Sequence, residues 1–156
     1  SANISFGKFE IWIVKKSTTG ARLWIRDDGA ATIIGYGYQP GGPHGFVKDN
    51  GGLRSMVDAT SFVANPAAVH LHSHRYDGHA NHVIANNNVD YSMSTIVDES
   101  PNTTAQAGLL WIGSYLGSSE FSAMKLGDIF IFSEPLSAPE RAAMLAFIQA
   151  KYPSLA

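Results

Sequence analysis

Up to about residue 135 this chain is cut into short pieces. Runs of β-branched, aromatic and aliphatic residues, none long enough for a typical helix, alternate with glycine, proline, asparagine and Asp-Gly signals. The run at 9–14 (Phe-Glu-Ile-Trp-Ile-Val) ends in Lys15-Lys16 and a Ser-Thr-Thr-Gly turn. Further strands are expected over 22–26, 31–38, 53–57, 69–76, 81–85, 89–96, 109–112 and 128–132. Asp77-Gly78 and Asn86-Asn87-Asn88 supply the turns around 81–85, because Asp, Asn and Gly accept the backbone of tight reversals. The segments 39–43 and 98–106 read as loops. Many short strands with little between them point to a sandwich or jelly roll.

The tail follows another period. Ser137-Ala138-Pro139-Glu140 has a capping-box arrangement with proline in the first turn. Ala142, Leu145, Ile148 and Tyr152 recur at helical spacing, widened by Met144 and Phe147, and Pro153 stops the pattern. One helix over about 137–151 is expected to pack this stripe on the strands.

Composition narrows the function classes. With 156 residues the chain is long enough for one domain with a proper core. Charged residues are only 15% and the net charge is −2, so nothing favours a nucleic-acid partner, whose phosphates need clustered Lys and Arg. There is no cysteine, hence no disulfide or thiolate metal site. No apolar run approaches 18 residues, so no helical membrane insertion is expected. Ser1 opens directly onto strand-like sequence, as a piece of a longer chain would.

Leu110-Trp111-Ile112-Gly113-Ser114, Phe121, Gly127-Asp128-Ile129-Phe130-Ile131-Phe132, Leu136-Ser137-Ala138-Pro139-Glu140-Arg141 and Ala150-Lys151-Tyr152 follow one another in the last third. This succession resembles the end of concanavalin A-like (laminin-G-like) jelly-roll domains. There an apolar strand ending in Ile-Gly leads to a Gly-Asp/Glu-Ile strand and a Leu-Ser-x-x-Glu-Arg helix closing at Lys-Tyr. Upstream the resemblance is looser. Residues 69–78 look like a strand that often reads Trp-His-x-Val and ends Tyr-Asp-Gly, but Val69 replaces the tryptophan. The customary opening strand before Phe9 is short or absent. The resemblance implies a single all-β domain over 1–156. Its fold would be a concanavalin A-like jelly-roll β-sandwich of antiparallel strands with one C-terminal α-helix. It implies a structural role for Asp128. It decides function poorly, because one sandwich hosts lectins, adhesion modules, glycosidases and structural parts.

Five of the six histidines fall in 70–82, His-Leu-His-Ser-His-Arg-Tyr-Asp-Gly-His-Ala-Asn-His. Strand alternation turns His70, His72 and His74 the same way. Two could share a divalent metal, with His79, His82 or Asp77 as a third ligand. The same row on an outward face could line a homo-oligomer interface. Plain surface polarity is the blander alternative, and no closed zinc spacing is present. Asp27-Asp28-Gly29, Asp77 and Asp98-Glu99 offer oxygens to Ca2+, although Asp-Gly pairs are more often turns. No strand carries the facing carboxylates that glycoside hydrolysis needs, and no Gly-x-Ser-x-Gly elbow occurs. Tyr36, Tyr38, Tyr76, Tyr91 and Tyr115 could stack on sugar rings, whereas Trp12, Trp24 and Trp111 sit in apolar runs and belong in a core.

The expectation is therefore not an enzyme. It is a non-catalytic carbohydrate-binding or adhesion module of a secreted or virus-borne protein, working outside the cell or on a virion surface. Its partner would be a glycan or a protein. The alternative is a structural virion protein, a capsid decoration or tail component, that uses the sandwich for protein contacts.

Overall fold

The computed structural model describes residues 3–6, 8–17, 23–26, 33–39, 42–49, 52–58, 68–77, 82–86, 89–91, 94–96, 106–112 and 124–155, with side chains over 8–16, 68–77, 83 and 125–155. It is β-rich with one C-terminal helix. The strands are β1 (Asn3–Phe6), β2 (Phe9–Ser17), β3 (Leu23–Arg26), β4 (Ile33–Gln39), β5 (Gly42–Asp49) and β6 (Gly52–Asp58). They continue as β7 (His70–Tyr76), β8 (His82–Asn86), β9 (Val89–Tyr91), β10 (Ser94–Ile96), β11 (Gln106–Ile112) and β12 (Met124–Phe132). Helix α1 (Ala138–Lys151) and a 3-10 turn (Pro153–Leu155) follow.

The strands form two antiparallel sheets, ordered β1-β11-β3-β4-β5-β6-β10 and β12-β2-β7-β8-β9. The expected hairpin of 69–76 with 81–85 is present as β7 and β8, with Tyr76 opposite His82 and His72 opposite Asn86. Three expectations change. The 39–43 loop is a tight reversal: β4 reaches Gln39, β5 starts at Gly42, and Tyr38 lies opposite Pro43. The single strand expected over 89–96 is two strands in different sheets, β9 beside β8 and β10 beside β6. An opening strand does exist, β1, paired along its length with β11.

Strand β2 is flanked by β7 and β12, and alternation gives it two faces. Glu10, Trp12 and Val14 lie on one, opposite Arg75, Ser73 and Leu71. Phe9, Ile11, Ile13 and Lys15 lie on the other, opposite Tyr76, His74, His72 and His70. Both faces are buried. On the first, Trp12, Val14 and Leu71 form a core with Ile148 of α1, closed by Phe130, Phe132, Leu136, Met144, Leu145 and Tyr152. The helix stripe differs from its expectation at two positions, Ala142 and Phe147. Ala142 is exposed and Arg141, one residue earlier, turns to the sheet instead. Phe147 sits at the stripe's margin, 54% exposed, with its ring edge-on to Phe130 at 6.1 Å.

Candidate functional site

The polar groups that the structure describes best sit on the two faces of β2 and β7. On the helix side, the carboxylate of Glu10 is fully buried. It accepts hydrogen bonds from Trp12 Nε1 at 2.8 Å, the Leu136 amide at 2.8 Å, and Arg141 Nε and Nη2 at 3.1 and 3.3 Å. Arg141 Nη2 also donates to the Leu136 carbonyl at 2.9 Å. A carboxylate can be held in a core only when its charge and lone pairs are met in this way. One residue of the helix's first turn thus ties α1, its lead-in and the central strand together. Beside it, the Glu140 carboxylate accepts from the amide and hydroxyl of Ser137, and the Ser137 carbonyl accepts the Arg141 amide, which starts the helix. These Ser137 hydrogen bonds hold the Glu140 carboxyl below its usual pKa.

The far end of α1 is tied in the same manner. Lys151 Nζ lies 2.7 and 2.9 Å from the two Asp128 oxygens, and Tyr152 Oη donates to Asp128 at 3.0 Å. The lysine hydrogen bond is the main cause of the lowered Asp128 pKa. Gly127 is needed here for space. A Cβ on it would stand 2.7 Å from Tyr152 Oη and 3.2 Å from the Val14 carbonyl oxygen. Asp128 is therefore architectural, with its oxygens committed to the helix end. The motif Gly127-Asp128 is the partner of Lys151-Tyr152, and Arg141 is the partner of Glu10. Sequence reading singled out both helix motifs but missed Glu10, which is 131 residues from its arginine. The only signal was a carboxylate inside an apolar strand.

The histidine row lies on the opposite face. His70, His72 and His74 do turn the same way, each facing Lys15, Ile13 and Ile11 in turn. The outward placement does not hold. The three are 7%, 3% and 1% exposed in the single chain, so they are core groups rather than a surface row free to line a symmetry axis. The rings of His70 and His72 are 5.8 Å apart, and His74 meets Phe9 edge-on at 4.9 Å. Among the described residues no three His, Cys, Asp or Glu side chains could hold a metal ion, so the row forms no metal centre with them. His79 lies outside the described residues, and His82 is described only as the first residue of β8. Lys15 shares this face and is 4% exposed, and burial lowers its pKa to about 8. Burial also drives the His72 pKa well below 6.5, helped by the charges of Lys15 and His70.

The tyrosines separate. Tyr76 is 1% exposed with its ring 6.0 Å from Phe9, so it is a core ring and not one that could stack on a sugar. Tyr36 and Tyr38 occupy alternate positions of β4, opposite Gly45 and Pro43 of β5, and Tyr91 lies on β9 opposite Ile84. The acidic pairs at 27–28 and 98–99, and Tyr115, lie outside the described residues. Trp12 is in the core, as expected.

No family model and no curated protein matches the chain. Among solved structures, the chain is similar to the crystal structure of the binding domain of Paraclostridial Mosquitocidal Protein 1, with 13% sequence identity and a TM-score of 0.59. The match covers 94% of this chain but only 38% of that one, so this chain spans well under half of the neighbour's length. At that identity the likeness is one of fold.

Proposed function

We propose that this chain is a non-catalytic binding module for carbohydrate, built on a concanavalin A-like jelly-roll sandwich and acting outside the cell. The observation that carries the reading is the likeness of nearly the whole chain, 94% of it, to part of a toxin's binding domain. The fold argument has its own support. The face of β2 and β7 away from α1 is buried too, as it would be if the seven-stranded sheet packed on it in a sandwich. Three of the described carboxylates, Glu10, Asp128 and Glu140, are committed to α1 or its lead-in and so do not supply the free facing acid and base that glycoside cleavage needs.

Tyr36 and Tyr38 are the residues assigned to ligand contact, with Tyr91 as a further candidate. They occupy alternate positions of β4, and so one face of its sheet, beside the turn into β5, and two tyrosines at such positions suit the stacking of sugars. A glycan array with the purified domain, run with calcium and again with EDTA, tests this. Saturable binding to a defined glycan is expected, and Tyr36→Ala or Tyr38→Ala should weaken it at least tenfold, about 1.4 kcal/mol, without loss of fold. A blank array would overturn the carbohydrate reading. Full affinity in both variants would move the site away from β4.

A further inference from the structure

The outward side of α1 serves neither of the two clasps nor the tyrosines of β4. Arg141, Met144, Leu145 and Ile148 turn to the sheet. Between Glu140 and Lys151 the exposed residues are Ala142, Ala143, Ala146, Phe147 and Ala150, and none of them is polar. A surface helix ordinarily carries charged and polar residues on this side. The alanines alone need no partner, because alanine is the strongest helix former. Phe147 has no such reason to be there. It is 54% exposed although its ring meets Phe130 edge-on. Alanines beside it would let a second helix come close.

We propose that a second copy of this chain covers this face, with two α1 helices packed side by side and antiparallel about a two-fold axis. The charges choose the occupant. The apolar stretch ends in an exposed acid, Glu140, in the first turn and a half-exposed base, Lys151, in the last. A face with opposite charges at its two ends complements itself when one copy is turned end for end. With the axis between Leu145 and Ala146, Glu140 of each copy lies across from Lys151 of the other. Phe147 of each then falls against Met144 of the other, with Ala143 beside it. A parallel pair would instead set like charges together. The end groups have capacity to spare. Both Ser137 hydrogen bonds go to Oε2 of Glu140, which leaves Oε1, and the Lys151 ammonium has three donors, some of them engaged by Asp128. One pair of helices, each about 21 Å long, covers less than a standard interface. Association is therefore expected to be weak, with a Kd on the order of 100 μM.

The test is sedimentation equilibrium of the whole chain up to about 1 mM, roughly tenfold above that Kd, with isotope-filtered NOEs on a mixed labelled sample. A monomer–dimer equilibrium is expected, and Phe147→Lys should weaken it at least tenfold with the thermal melt retained. Cross-copy NOEs should join the side chains of Glu140 and Lys151. Within one copy these residues are eleven apart, about 16 Å along the helix, so the signal can come only from the antiparallel pair. A chain that stays monomeric would overturn the proposal, as would a dimer indifferent to Phe147→Lys or one without these NOEs. The NOE arm needs no variant, so it decides the matter even if Phe147→Lys does not fold. Neither arm involves a glycan, so the proposal stands or falls apart from the carbohydrate reading.

Discussion

The two faces of β2 bury polar groups in opposite ways. On the helix face, Glu10 meets a guanidinium, an indole N–H and a backbone amide, and Asp128 meets a lysine and a tyrosine. Opposite charges are matched, and each pair spans two elements. On the other face Lys15, His70, His72 and His74 stand together, with Phe9, Ile11, Ile13 and Tyr76 beside them and Asn86 opposite His72. There burial lowers the pKa of Lys15 and of His72, because desolvation disfavours the charged form of a base. The helix face should thus be sensitive to loss of a partner, and the inner face to pH.

The largest effect is expected from Arg141→Ala. It strands the Glu10 carboxylate in the core and should cost about 3–5 kcal/mol in urea unfolding. Pairing Glu10→Gln with Arg141→Met should recover part of that loss, since no charge is then left alone. If Arg141→Ala proved nearly neutral, the two faces would not differ as described. Lys15→Met tests the inner face with the opposite sign. An unfolded lysine keeps its proton to about 10.5 and the buried one only to about 8. Between those values the unfolded chain holds more protons, so wild-type stability should rise with pH, by about 3 kcal/mol in all. Lys15→Met should flatten that rise and stabilise the protein at pH 7. Destabilisation at pH 7 would instead show that the ammonium is compensated where it lies.

Gly127→Ala probes the clasp at the end of α1. The added methyl meets Tyr152 Oη and should cost about 1–3 kcal/mol, with partial relief on combining it with Tyr152→Phe. Lys151→Ala should change Tm least, because its ion pair with Asp128 is half-exposed and weakened by solvent and salt. The Asp128 contribution should be present above the ordinary carboxylate range and disappear as pH falls through its lowered value. A Lys151→Ala effect as large as that of Arg141→Ala would mean that burial is not what separates the two clasps.

Local chemistry made much of this legible in advance. The β7–β8 hairpin, the course of β2, β11 and β12, and the capped helix with its proline stop all follow from side-chain period and turn residues. The common orientation of His70, His72 and His74 follows from alternation alone. Strand β5 was not legible, because Gly-Pro-His-Gly-Phe-Val-Lys-Asp has no apolar alternation and begins with turn residues. The split of 89–96 was hidden because both halves are strand-like and only their partners differ.

Sequence by itself determined which stretches extend, where the one helix starts and stops, and that three imidazoles share a face. Tertiary structure decided what those faces meet. Burial and ion pairing join residues far apart in the chain, as Glu10 joins Arg141 and Gly127 makes room for Tyr152. No local pattern encodes such meetings. A row of histidines therefore reads as surface in the sequence and turns out to be core in the fold, where desolvation lowers the pKa of His72.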